Sequence, residues 1–263
     1  MQFSQILDFL AKSSLPDPEY LRQHYASKRN LRRRKGNHVS HSSLSSSQLQ
    51  QWGAFRSSSQ ILVQGSFRNR HLARDFAVDM IDLVSAAHVP VVWALNPTFD
   101  THLPLTPMDV LKHVTLQVLR LNHTMMNERV ATLNAARFQS TTTETGWFSL
   151  LGSALEGLPQ LYIIIDLELL SKSAISGQDW LEEFPRLFSD LSARSIGTVL
   201  KVAFVSPLGT QEYTSNQTFG QSAVRLFLRH STRSQQFQAA DQRHNGNNRR
   251  KARKALMAAF RPS

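Results

Sequence analysis

The chain has 263 residues, 41% of them hydrophobic, and a formal net charge of +11. That is chain enough for one large α/β domain or two small ones, with enough apolar content to bury a core. The complete lack of cysteine excludes disulfides, thiolate metal sites and a cysteine nucleophile.

The charge is unevenly placed. Residues 1–60 carry nine Lys or Arg against three Asp or Glu, residues 61–224 carry eleven against fifteen, and residues 225–263 carry ten against one. The expectation is a mildly acidic folded body with basic ends, so the overall charge alone does not define a nucleic-acid binder. The opening MQFSQILDFLAKSS lacks the basic start and long apolar run of a signal peptide. No apolar run approaches the roughly 18 residues that span a bilayer. These features predict an intracellular protein, cytoplasmic or nuclear, with no membrane span. In that setting the glycosylation patterns at Asn122 and Asn216 carry no meaning.

In chain order, residues 3–10 predict a short amphipathic helix with Phe3, Ile6, Leu7 and Leu10 on one face. The basic cluster Arg32, Arg33, Arg34 and Lys35 follows, then the serine-rich HVSHSSLSSSQLQ. Residues 28–48 therefore read as a linker, and 1–46 as a short helix plus a basic, serine-rich linker. Trp52 and Phe55 resume an apolar pattern, which puts the start of the folded body near Ser47.

Four apolar runs then predict strands: ILVQG (61–65), VPVVWAL (89–95), LYIIID (161–166) and VLKVAFVS (199–206). They are continuous rather than alternating, as in parallel strands covered on both faces. Between them lie helical patterns at 71–87, 106–121, 146–156 and 178–193. The second opens with Thr106-Pro107-Met108-Asp109, a helix start with proline at its first position. Pro185 is expected to end or kink the last. Alternating strands and helices predict an α/β, doubly wound, mostly parallel sheet with helices on both faces over residues 47–230. From residue 231 the sequence reads as a basic, disordered tail.

Ligands of such sheets bind at the carboxyl ends of the strands, and three ends stand out. The first is ILVQGSFRNRHLARDF, a strand, a glycine turn and a helix. Anchoring the phosphate-loop pattern GxxxxGK[ST] on Gly65 makes Ser66, Phe67, Arg68 and Asn69 the spacers. Arg70 then stands where glycine belongs, His71 where lysine belongs and Leu72 where the metal-binding hydroxyl belongs. Arg68 and Arg70 retain the means to attract an anion at the helix N-terminus. The second end is LYIIIDLELL, where Asp166 closes a hydrophobic strand as a metal-binding carboxylate would, and Glu168 is a candidate for polarising water. The alternative is a buried strand whose Asp166 caps the next turn. The third is VLKVAFVSPLG, a strand with Ser206 at its polar end.

A glycine-ended, an acid-ended and a polar-ended strand, in this order, resemble the STAND class of P-loop NTPases, and within it the fungal NACHT-like proteins. The resemblance covers residues 47–210, including LTPMDVLKHVTLQVLRLN and its Val114-to-Gln117 step. It implies a P-loop fold and a nucleotide-switched module that works through oligomerisation or a protein partner. The departures remove the chemistry. The phosphate-loop lysine and hydroxyl are missing, Leu169 and Leu170 replace two further acids, and Pro207 replaces an arginine. The leading expectation is a pseudo-NTPase with a degenerate Walker A motif, acting as a regulatory or protein-interaction module without a cofactor.

Two alternatives stand beside it. One is a weak nucleotide switch or NTPase holding ATP or GTP with Mg through Gly65, Ser66, Arg68, Asn69, Arg70, His71, Asp166, Glu168 and Ser206, with Asp166 the metal ligand. The other is a nucleic-acid-associated protein acting through the basic clusters at 32–35 and 249–254. The ten histidines form no HExxH pattern, and none is expected to bind metal.

Overall fold

The computed structural model describes residues 2–12, 15–34, 47–65, 70–97, 105–122, 135–170, 176–206 and 223–228. Among these residues five strands form one sheet: β1 Ser59–Gln64, β2 Val91–Ala94, β3 Gln160–Asp166, β4 Val199–Ser206 and β5 Ala223–Phe227. The order across the sheet is β2-β3-β4-β1-β5, and every pairing is parallel. The four expected strands are all present. All residues of β1 and β3 are buried, which is why their sequences run apolar without alternation.

The faces are covered by two separate apolar layers. Leu62, Val92, Ile163, Ile165, Val202 and Phe204 point to one face. It is packed by α1 (Gln2–Ala11), α5 (Pro107–Leu121), α6 (Ala135–Ser140), α7 (Glu144–Ala154) and α8 (Ser176–Ala193). Ile61, Val63, Tyr162, Ile164, Ala203 and Val205 point to the other, under α2 (Pro18–Arg34), α3 (Ser47–Ala54) and α4 (Arg70–Ala86). Consecutive strand residues feed opposite layers, as the pleat requires. The architecture is thus α/β and doubly wound.

The N-terminal part corrects the sequence reading. The short helix at 3–10 is α1, with Ile6 and Leu10 buried against the sheet's first face. Residues 28–34 are not linker but the last two turns of α2, which lies on the second face. The cluster at Arg32 and Arg33 is docked on α4 rather than freely solvated. Helices α1 and α2 therefore belong to the folded body, which does not begin at Ser47. Residues 35–46 and the tail from 231, with the basic cluster at 249–254, lie outside the described residues.

Local chemistry explains several boundaries. Thr106 caps α5: its hydroxyl accepts from the Asp109 N–H, and the Asp109 carboxylate accepts from the Thr106 N–H. Pro185 does not end α8, which runs through it to Ala193. A proline cannot donate to the carbonyl four residues earlier. That carbonyl, Leu181 O, instead accepts from the buried side-chain amide of Gln60 on β1 at 3.0 Å.

The outer edge of β2 is closed in a similar way. Gln117 of α5 accepts from the Trp93 N–H at 3.1 Å and donates to the Trp93 carbonyl at 2.8 Å. One side-chain amide thus pairs with both backbone groups that a further strand would use. Near the amino end of the central strand β4, Lys201 is fully buried. Its ammonium donates to the carbonyls of Trp52, Phe55 and Ser57 and to the Ser59 hydroxyl, tying the α3–β1 connection to the sheet. Asn122 is also fully buried, its amide donating to the Ala154 and Glu156 carbonyls. Its glycosylation pattern is therefore closed to modification in the fold.

Candidate functional site

The three strand ends singled out in the sequence lie side by side, because β3, β4 and β1 are neighbours in the parallel sheet. The Gly65 N–H donates to the Ser206 carbonyl at 2.8 Å, joining the ends of β1 and β4. Ser66, Arg68 and Asn69 lie outside the described residues. Arg70 opens α4 and is exposed, while His71 is half-buried. Leu72 is 2% exposed and packs into the apolar layer beneath α4, so its position serves the core and offers no oxygen.

The end of β3 carries the polar chemistry. Asp166 is buried, and its carboxylate accepts from the Glu168 N–H at 3.0 Å, capping the 3-10 turn Leu167–Leu169. The turn swings Glu168 back over the sheet end. There Asn96, just past β2, donates its side-chain amide to Glu168 Oε2 at 3.1 Å. The guanidinium of Arg74, one turn into α4, donates to the same Glu168 carboxylate. Arg74 Nε also faces Asp166 Oδ2 at 3.9 Å. The guanidinium carbon lies 5.7 Å from the centre of the Tyr25 ring of α2, and the Tyr25 hydroxyl donates to the Asn96 carbonyl.

The electrostatics follow from burial. Asp166 is pushed up to about 7, first by burial and then by the Glu168 charge, with Arg74 and two backbone amides opposing. The Arg74 guanidinium is held charged by Asp166, Tyr25 and Glu168 despite its burial. The cluster therefore sets the Arg74 guanidinium against the Glu168 carboxylate and an Asp166 whose carboxyl burial holds well above the ordinary range.

This geometry brings Asp166 and Glu168 together, as the sequence reading required of a metal site. It also places an arginine on them. A magnesium ion asks for open, charged oxygens in octahedral array. Here Glu168 is ion-paired and Asp166 is 2% exposed and readily protonated, so the donor set does not fit that ion. Among the described residues, no group of three or more His, Asp or Glu is placed to hold a metal. No described helix is long and apolar enough to cross a membrane.

Arg74, Asn96 and Tyr25 were not anticipated. Arg74 had a faint signal: it falls four residues after Arg70, on the same face of a helix that follows a glycine turn. Asn96 and Tyr25 had none, since their roles arise only where three distant segments meet. Comparison with known proteins finds no family model that matches the chain and no curated protein that matches it.

Proposed function

We propose that the chain is a degenerate P-loop NTPase-like domain of the STAND and NACHT kind, acting without catalysis as a regulatory or protein-interaction module. The observation that carries this reading is the Arg74 guanidinium on Glu168 and beside Asp166. Phosphoryl transfer needs positive charge, from metal and lysine, free to engage the transferring group. Among the described residues, the positive charge at the acidic strand end is Arg74 of α4, and it is already engaged by the two acids. Burial of Leu72 where a hydroxyl would hold metal supports the same reading. So does the side-by-side placement of the Gly65, Asp166 and Ser206 ends, the arrangement that the resemblance leads one to expect.

The test is a titration with ATP and GTP, with and without Mg, read by thermal shift. A ligand at a hundred times its dissociation constant adds about 2.7 kcal/mol of stability. The expected result is an unchanged melting temperature at saturating nucleotide. Mg-dependent turnover that Asp166→Ala abolishes and a surface substitution leaves intact would sink the reading.

A further inference from the structure

Helix α2 is held on the body by an unusual balance of forces. Of its 17 residues only Leu21, Tyr25 and Arg29 are buried, whereas α4 beneath it buries ten. Much of the rest of the attachment is ionic. Arg22 pairs with Asp82 at 2.5 Å, and Arg29 bridges Asp79 at 2.7 Å and Asp82 at 2.9 Å. Arg32 pairs with Asp75, and Arg33 with Asp79 at 2.7 Å. The three acids sit at positions 75, 79 and 82, a single stripe along α4, and α2 meets them with four arginines.

Such a helix is easily parted from its seat. Lifting it returns these partly buried charges to water, and of its own apolar side chains only Leu21 and Tyr25 leave a buried position, with Ala26 packed beside them. The attachment also reaches the acidic strand end. Tyr25 lies beside the Arg74 guanidinium and donates to Asn96, and the Trp93 indole N–H donates to the Pro18 carbonyl at 2.8 Å. Departure of α2 would uncover the acidic stripe, the edge of the Arg74 cluster and the Trp93 ring together.

We propose that α2 is a releasable strap, charge-clamped on the Asp75–Asp79–Asp82 stripe, whose opening exposes that stripe and the Arg74 cluster while the sheet stays folded. The strap does not depend on whether a nucleotide binds, and its test contains none. Local opening of this kind belongs to the low-stability end of a fold and shows up as selective amide exchange.

Hydrogen–deuterium exchange of the full chain at low salt and at about 1 M NaCl, where screening shortens to about 3 Å, separates strap from core. Amides of 18–34 are expected to exchange at least about ten-fold faster at high salt, with β3 and α5 unchanged. The Asp75→Asn/Asp79→Asn/Asp82→Asn variant should do the same at low salt. If that variant loses β3 protection and so fails to fold, Arg32→Gln/Arg33→Gln, altered on the more exposed side of the same contact, replaces it. Acrylamide quenching of tryptophan should rise in parallel, and Trp93→Phe should remove the increment, because Trp52, Trp147 and Trp180 are fully buried. If α2 exchanges in step with β3 at both salt concentrations, or if a folded charge variant leaves α2 protected, the strap is overturned.

Discussion

Gln60 of β1 donates its side-chain amide to the carbonyl of Leu181 in α8, the one backbone acceptor that Pro185 leaves open. A strand side chain thus completes the hydrogen bonding of a proline-containing helix. Gln60→Leu should cost about 1–3 kcal/mol, the usual penalty for stranding a buried polar group. In a Pro185→Ala background the restored N–H can reach Leu181, so the same substitution should cost markedly less. Denaturant unfolding of the four proteins gives the coupling directly, and additive effects would refute the pairing.

Gln117 seals the β2 edge by pairing with both backbone groups of Trp93. Gln117→Ala should lower stability by about 1–3 kcal/mol and leave an unpaired strand edge open to other chains. Urea unfolding measures the first effect and light scattering on mild heating the second. A variant as stable and as monodisperse as the parent would contradict this role.

The buried Asp166 makes a pH prediction with a definite sign. Its folded value, about 7, lies above the ordinary carboxylate range, so the folded state holds the proton more tightly than the unfolded chain. Its contribution to stability is therefore full below about pH 4 and is lost as pH rises through about 7. Other carboxylates act in the opposite direction, so the measurement is the difference between the parent and Asp166→Asn. That difference should shift in favour of Asp166→Asn as pH climbs from 4 to 8. A pH-independent difference would rule out the raised value.

Arg74→Met tests the fixed charge. Removing the guanidinium leaves Glu168 and Asp166 facing each other in a largely buried site, and a loss of about 3–5 kcal/mol is expected near neutral pH. Because Arg74 opposes the rise at Asp166, its removal lets Asp166 keep its proton to higher pH, so the loss should grow as pH rises above about 7. A loss that does not respond to pH would point to packing against Tyr25 instead.

Lys201 predicts the reverse slope at the alkaline side. Burial lowers its ammonium to about 8, so the folded state gives up the proton more readily than the unfolded chain. Its contribution improves as pH rises from about 8 toward 10.5. Lys201→Met removes the donors for three carbonyls and should cost about 2–3 kcal/mol at pH 7. Chemical unfolding at pH 7 and pH 10 checks both, and the penalty should not shrink at the higher pH.

The sequence made the sheet legible where burial on both faces forced unbroken apolar runs, as in LYIIID and VLKVAFVS. It failed at β5, whose AVRLF is short, carries Arg225 and lies at the sheet edge. It failed again at α2, because that helix announces itself by charge rather than by an apolar stripe. Its partners on α4 lie some fifty residues away, at separations that no local period encodes. At the site, Gly65, Asp166 and Ser206 were visible as strand ends. Arg74 gave only a faint signal because its meaning lies in what it faces across the sheet end.

The placement of β1 has a consequence for how the chain comes to be folded. Its neighbours are β4 and β5, the last two of the described strands in chain order, and Ser59 must find Lys201. Until then both edges of an Ile-Leu-Val strand stand open, and α1 and α2 have emerged before the surfaces that receive them. Contacts this distant in sequence slow folding and lengthen the exposure of aggregation-prone edges. Synthesis of this protein therefore leaves its most hydrophobic early segment waiting, and chaperone demand should fall on the nascent chain from β1 until β5 appears.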